Sequence, residues 1–198
     1  MNTNLHPSVQ TRNPQVARFL TGADSFMADR AVSLKEYGRV HFRPIRVDDE
    51  VRMTRFHGTL SEESIYLRYF EHMSLDTRTL HERLAVVCTN TEDSYALVAE
   101  RDETSEDPAQ ILAVGRLTTT GKIDEASFAL LCGEKVQATV LPRELLKCLK
   151  DIARLHGFRT VTGELLVADH DTIDLCRHQG FALHALLEDG IVQATCTL

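Results

Sequence analysis

The stretch EKVQATVLPR, Glu134 to Arg143, lies between an apolar strand-like run, Phe128 to Leu131, and a helical segment that begins near Pro142. A strand-to-helix turn is a place where main-chain amides, backed by the positive end of a helix, can bind an anion such as phosphate. Close approach of backbone to phosphate favours glycine, which has no Cβ. This turn instead carries Gln137, the branched Val140, and Pro142, which has no N–H to donate. One lost donor to an anion costs about 1.5–3 kcal/mol, or roughly ten- to hundredfold in affinity. The amides of Gln137, Ala138, Thr139, Leu141 and Arg143 remain, and Arg143 and Lys135 add positive charge nearby. The same residues also suit a plain connection, with Pro142 in the first helical turn and Val140 and Leu141 as apolar cover.

Other chemistry is thinly marked. Among the nine histidines, His170 and His178 flank one helix two turns apart and build no metal-ligand cluster, so no metal is expected. There is no Gly-x-Ser-x-Gly, no phosphate-binding Gly-Lys-Ser/Thr, no His-Glu-x-x-His and no EF-hand loop. The net charge of −7 and the lack of clustered aromatics argue against a nucleic-acid or anionic-membrane surface and fit an amine-bearing partner better. Five scattered cysteines with no Cys-x-x-Cys indicate neither a disulfide framework nor a zinc ribbon, and a reducing cytoplasm is the simplest compartment. No run of apolar residues is long enough for a signal peptide or a membrane span.

A chain of 198 residues, 43% hydrophobic and 26% charged, can bury one sizeable core. Residues 1–34 show little periodicity and read as a partly ordered arm; 35–198 read as one domain. Arg39 to Arg46, with Pro44, suits a first strand at a sheet edge. Asp48 offers an N-cap for a helix stopped by Gly58, and Ser61 caps a second helix, SEESIYLRYF; a third is expected around Leu75 to Leu84. Two strands, Tyr95 to Glu100 and Ile111 to Thr118, flank the acidic loop RDETSEDPAQ. After the turn comes helix PRELLKCLKDIARLHG with Leu145, Leu149 and Ile152 as its core stripe, then strand RTVTGELLV and a helix from about Asp171 to Gln179. Asp189-Gly190 marks a closing hairpin. This order predicts an α/β (α+β) domain with a mixed, mostly antiparallel sheet of six to seven strands flanked by helices.

Taken together, SLKEYGRVHFRPIRVDDE, SEESIYLRYF, EASFALL with its following helix, and RTVTGELLVADHDTIDLCRHQGF resemble the GNAT superfamily of N-acyltransferases. Within it they are most similar to the acetyltransferase domain of bacterial protein-lysine acetyltransferases, in the family order from about Ser33 to Phe181. The resemblance implies acetyl transfer from acetyl-CoA to an amine, a protein lysine or a small amine. It also implies a sheet splayed between two strands to admit the pantetheine arm, with main-chain groups of Phe128, Ala129, Leu130 and Leu131 holding carbonyl and pantetheine. Gln137 matches the first position of the family's Gln/Arg-x-x-Gly-x-Gly/Ala turn, whereas Val140 and Pro142 replace its small residues.

In the resembling enzymes a carboxylate base precedes the Phe of the fourth strand; that position is Ser127 here, with Glu125 on the same strand face roughly 6–7 Å away. Glu125 is a substitute base or a solvated strand-start residue. Glu164 matches a recurring Glu of the fifth strand, or simply faces solvent. Asp169 stands at a cofactor-side Asn and is also a good helix N-cap. Cys176 occupies the place of a Tyr general acid, or is a small core residue. Departures at Val140, Pro142, Ser127 and Asp169 keep open a second function, a GNAT-fold binding or regulatory module without catalysis. Family members pair through sheet edges or the C-terminal hairpin, so a homodimer is among the implied states.

Overall fold

The computed structural model describes Phe19 and residues 30–104, 108–186 and 188–198. The arm expected over 1–34 therefore lies outside the described residues apart from Phe19 and 30–34, as does the middle of the acidic loop. Eight strands form one sheet: β1 (Ala31–Leu34), β2 (Gly38–Pro44), β3 (Ser94–Arg101), β4 (Gln110–Thr119), β5 (Glu125–Cys132), β6 (Thr160–Leu166), β7 (Ala182–Leu186) and β8 (Ile191–Thr197). Their order across the sheet is β1-β2-β3-β4-β5-β6-β8-β7, and every neighbouring pair except β5–β6 is antiparallel. The helices are α1 (Glu50–Gly58), α2 (Glu62–Tyr69), α3 (Leu75–Arg78), α4 (His81–Val87), α5 (Glu134–Gln137), α6 (Leu141–Leu155) and α7 (His170–His178).

Both faces of the sheet are covered. On β3, Tyr95, Leu97 and Ala99 enter the core beneath α6 and α7, while Ala96 and Val98 join Met53, Phe56, Ile65 and Leu84 on the α1–α4 face. This alternation explains why YALVAE reads as an unbroken apolar run: each side chain finds a dry neighbour on its own face. The expected α6 stripe holds, with Leu145, Leu146, Leu149 and Ile152 fully buried. Among the described residues no helix is long and apolar enough to cross a membrane.

Several expectations need correction. The strand through Val40 and Phe42 is not an edge, because Ala31–Leu34 pairs outside it through a tight turn that Gly38 allows at φ +65°. Asp48 makes no cap; Asp49 takes the structural role, fully buried and bonded by Arg43 at 2.7 Å, the Arg46 amide at 2.8 Å and Arg52 at 2.8 Å. Arg43 also binds Glu100 at 2.7 Å, so one guanidinium ties β2, β3 and the start of α1 together. Although burial opposes it, the Arg43 hydrogen bond holds the Asp49 carboxyl below the usual carboxylate range. The third helix is two, α3 and α4, and the phosphate-type turn contains the extra one-turn helix α5.

One close approach shapes the sheet. A Cβ added at Gly163 would lie 2.4 Å from the Phe128 ring, which itself packs on Phe181 at 5.2 Å between centroids. Gly163→Ala is therefore expected to destabilise the protein by about 1–3 kcal/mol through overpacking. Adding Phe128→Leu to that variant removes the clashing ring atoms and should recover part of the loss, read as melting temperature.

His57 supplies a pH test. It is 2% exposed and its Nδ1 has no hydrogen-bond partner. Burial first, then the charges of Arg78 and Arg83, push its pKa down to about 4 from 6.5. The unfolded chain thus takes up this proton first as pH falls below about 6.5, so folding stability drops until about pH 4. Between pH 7 and pH 5 this residue should contribute a loss of about 2 kcal/mol. Urea unfolding of wild type and His57→Phe at the two pH values checks it: the difference between pH values should shrink in the variant.

Candidate functional site

Strands β5 and β6 pair over three positions only, Glu125 with Thr160, Ala126 with Val161 and Ser127 with Thr162. Beyond Ser127 they part, because β5 stays registered on β4 to Cys132 while β6 stays registered on β8 to Leu166. From Phe128 onward the β6-facing edge of β5 has lost its strand partner. The opening leads into a cleft of about 630 Å³. Since β5 and β6 are parallel, the helices that follow them, α6 and α7, both begin at the open end, which is where α/β sheets place ligands.

Three helix N-termini border this cleft. Ser61 and Ser64 come from the start of α2, Pro142 and Arg143 from the start of α6, and His170, Asp171 and Thr172 from the start of α7. Ser61 Oγ accepts the Ser64 amide at 3.1 Å, and the Ser61 amide donates to Glu134 at 2.7 Å. Gln137 Nε2 reaches Ser64 Oγ at 3.3 Å and the Cys132 carbonyl at 3.4 Å. These contacts clamp α2, α5 and the end of β5 into one rim. The combined N-terminal dipoles favour negative charge within.

The phosphate-type turn is partly closed to a ligand. The Thr139 amide is bonded to the Val136 carbonyl at 3.1 Å and the Leu141 amide to Thr139 Oγ1 at 3.2 Å; Pro142 has no amide hydrogen. Val140 is 42% exposed at the start of α6. The Arg143 guanidinium lies beside Glu144 at 3.2 Å. Two of the donors counted in the sequence are thus satisfied internally.

The cleft gathers most of the residues singled out in the sequence: Phe128, Ala129, Leu130, Leu131, Gln137, Thr139, Arg143, Glu164 and Asp169 all line it. Glu164 is exposed on β6 and has no ion-pair partner among the described residues. Asp169 accepts the Thr172 amide at 3.1 Å and so caps α7; burial raises its pKa. Ala138 is exposed but off the lining, and Leu141 is fully buried. Glu125 lies at the closed end of β5, opposite Thr160, with Lys122 at 3.1 Å, because the strands still pair there. Ser127 sits at the vertex where pairing ends. Cys176 is 0% exposed in the core under α7, and burial, then Asp169, pushes its thiol up to about 12. Not taken as site residues from the sequence were Glu63, Arg68, Glu134 and His170, which also line the cleft. Their signal was topological: each lies on α2, after β5 or after β6, the elements around the opening. Among the described residues no group of three or more His, Cys, Asp or Glu is placed to hold a metal ion.

A splayed mixed sheet with helices starting at the open end of two parallel strands is the GNAT fold, and the chain has it. No model of a known protein family matches the sequence. Among solved structures, the GNAT domain of S. lividans PAT is similar at 26% identity, over 85% of this chain and 96% of that one, with a TM-score of 0.69. PaiA N-acetyltransferase from Thermoplasma acidophilum, solved in complex with coenzyme A, shares the fold at 12% identity, over 80% of this chain and 99% of that one, with a TM-score of 0.62. Mycobacterium smegmatis RimJ, in complex with CoA-disulfide, shares it at 15% identity, over 85% and 84%, with a TM-score of 0.64. The fold thus matches that of GNAT N-acetyltransferases.

A thiol of this pKa and burial is neutral and shielded. Cys176 should therefore resist iodoacetamide at pH 8 in the native protein and react once denatured, as read by peptide mass mapping.

Proposed function

We propose that the protein is an N-acyltransferase that moves an acetyl group from acetyl-CoA to an amine within the cleft between β5 and β6. The observation that carries this reading is the parting of β5 and β6 after Ser127, at the end where three helix N-termini meet. The β5 edge from Phe128 to Leu131 offers main-chain groups for an extended pantetheine arm. The N-termini of α6 and α7, with Arg143, offer positive potential for its phosphates.

Bound acetyl-CoA would supply an acetyl group activated as a thioester. Glu164, exposed on the cleft lining, takes a proton from the acceptor ammonium, freeing its lone pair. The amine attacks the carbonyl directly; the C–N bond forms, the C–S bond breaks, and the second N–H proton ends on the departing sulfur. His170 lines the cleft on the α7 wall whereas Cys176 is buried off it, and His170 takes the proton-donor role in its place. Glu125, held at the closed end, serves the strand start.

The turn limits affinity rather than access. With the Thr139 and Leu141 amides engaged and Pro142 silent, coenzyme A is expected to bind roughly ten- to hundredfold more weakly than on a turn offering one more free donor. That same turn favours the second reading, a GNAT-fold module without catalysis. Thermal-shift titration with acetyl-CoA separates them. The enzyme reading expects stabilisation at millimolar ligand that grows when Val140 and Pro142 are both changed to Gly. Stabilisation only in the double variant supports the module, and none in either protein removes acetyl-CoA as the substrate.

A further inference from the structure

The α2 wall of the cleft carries Glu63 in its first turn and Arg68 in its last, and acyl transfer alone leaves Arg68 without a task. Arg68, in the last turn of α2, lines the cleft, and its guanidinium lies 4.9 Å over the Tyr69 ring. Arg83 from α4 lies 5.4 Å from the same ring, so one aromatic face system serves two cations. Arg116 rises from β4 beside Ala129 of the cleft wall and donates to Ser94 Oγ at 2.6 Å and to the Val87 carbonyl. Among the described residues none of these three arginines has a carboxylate partner. By contrast, Arg43 is held by two carboxylates.

The electrostatics agree with this count. Burial first, then Arg83 and against the pull of Tyr69, lowers the Arg68 pKa; burial, then Arg68, lowers that of Arg116. A partly buried group of like charges is stabilised by an anion, and a guanidinium fork matches a carboxylate in two parallel hydrogen bonds. Among the described residues no such anion is supplied, and Arg68 lines the open cleft.

Position identifies which ligand would bring it. Gly163 faces Phe128 in the core under α6 and α7, so Glu164, the next residue on β6, faces the α2 side, as Arg68 does. The helix N-termini of α6 and α7 that suit donor phosphates stand on the other face. We infer that the acceptor is an amine that also carries a carboxylate, its carboxylate bound by Arg68 with Arg83 and Arg116 behind it and its amine directed to Glu164. The inference rests on the acyltransferase reading and names its substrate class as amino-carboxylates. The bonds made and broken are those of the transfer above; the carboxylate stays intact and only positions the amine.

The test uses the full chain and matched ligands. Acetyl transfer from acetyl-CoA is measured for ω-amino carboxylates and for their carboxamides, and for lysine peptides flanked by aspartate or by asparagine. Separately, calorimetry titrates an N-acetylated amino carboxylate and its carboxamide with no acetyl-CoA present. Wild type, Arg68→Gln and Arg68→Lys are compared, with melting temperatures to verify folding. Expected is a roughly ten- to hundredfold preference for the carboxylate, expressed in KM, abolished in Arg68→Gln and partly kept in Arg68→Lys. Preference for the small carboxylates over the aspartate-flanked peptides sustains a small acceptor; the reverse order overturns it. Equal use of carboxylate and carboxamide overturns the inference. If no amine is acetylated, the acyltransferase reading falls while the calorimetry still decides: carboxylate binding lost in Arg68→Gln sustains the anion site, and no binding overturns it.

Discussion

The Phe128 ring lying over the bare backbone of Gly163 is the contact on which the rest of the structure depends. A strand pair that is parallel and in register tends to continue pairing, since each step satisfies another amide and carbonyl. Here Phe128, the first residue past the last β5–β6 pair, lays its ring over Gly163 in the core. The ring is itself held by Phe181, whose other neighbour is the Lys150 ammonium at 5.7 Å. Lys150 donates to the Gln179 carbonyl at 2.8 Å, binding α6 to the end of α7. The ring thus packs where the strands part, and one tie joins the helices that follow them.

Divergence leaves unpaired backbone, which is costly in a dry interior and useful at a wet cleft. The cost is contained because each half of the sheet remains complete: β5 is bonded to β4 along its length, and β6 to β8. The rim is reinforced by side chains that reach between elements, Gln137 to Ser64 and Cys132, and Glu134 to the Ser61 amide. Gln137 is therefore a strut in this chain. Its side chain fixes the turn's position against α2 and the end of β5.

Much of the fold was legible in the sequence because its signals were local. Ser61 as a cap, the α6 stripe and the Asp189-Gly190 turn each follow from residues within one or two turns of each other. What escaped had non-local causes. Strand β1 is four residues long and exists through pairing with β2, and α3 and α4 separate where Arg78 turns inward to the His57 carbonyl at 2.9 Å. Asp48 and Asp49 are chemically alike, and only the buried Arg43 decides between them. At the site, the motif-like turn lies at the end of the sheet where β5 and β6 part, whereas Glu125 and Cys176 were candidates through the family resemblance. Strand register placed one at the closed end, and helix rotation turned the other into the core.

The cleft separates charges by face. Like charges repel and helix N-termini attract negative charge, so the face from which each group enters the opening sets its local potential. Glu164 projects on the α2 side, while the N-termini of α6 and α7 stand at the other side of the strands. Alternation along β6 enforces the division: Gly163 faces Phe128, and this leaves its neighbour Glu164 the opposite face. The contact at the vertex of the cleft therefore also fixes the face of its free carboxylate, and a substitution at Gly163 would disturb the geometry of both together.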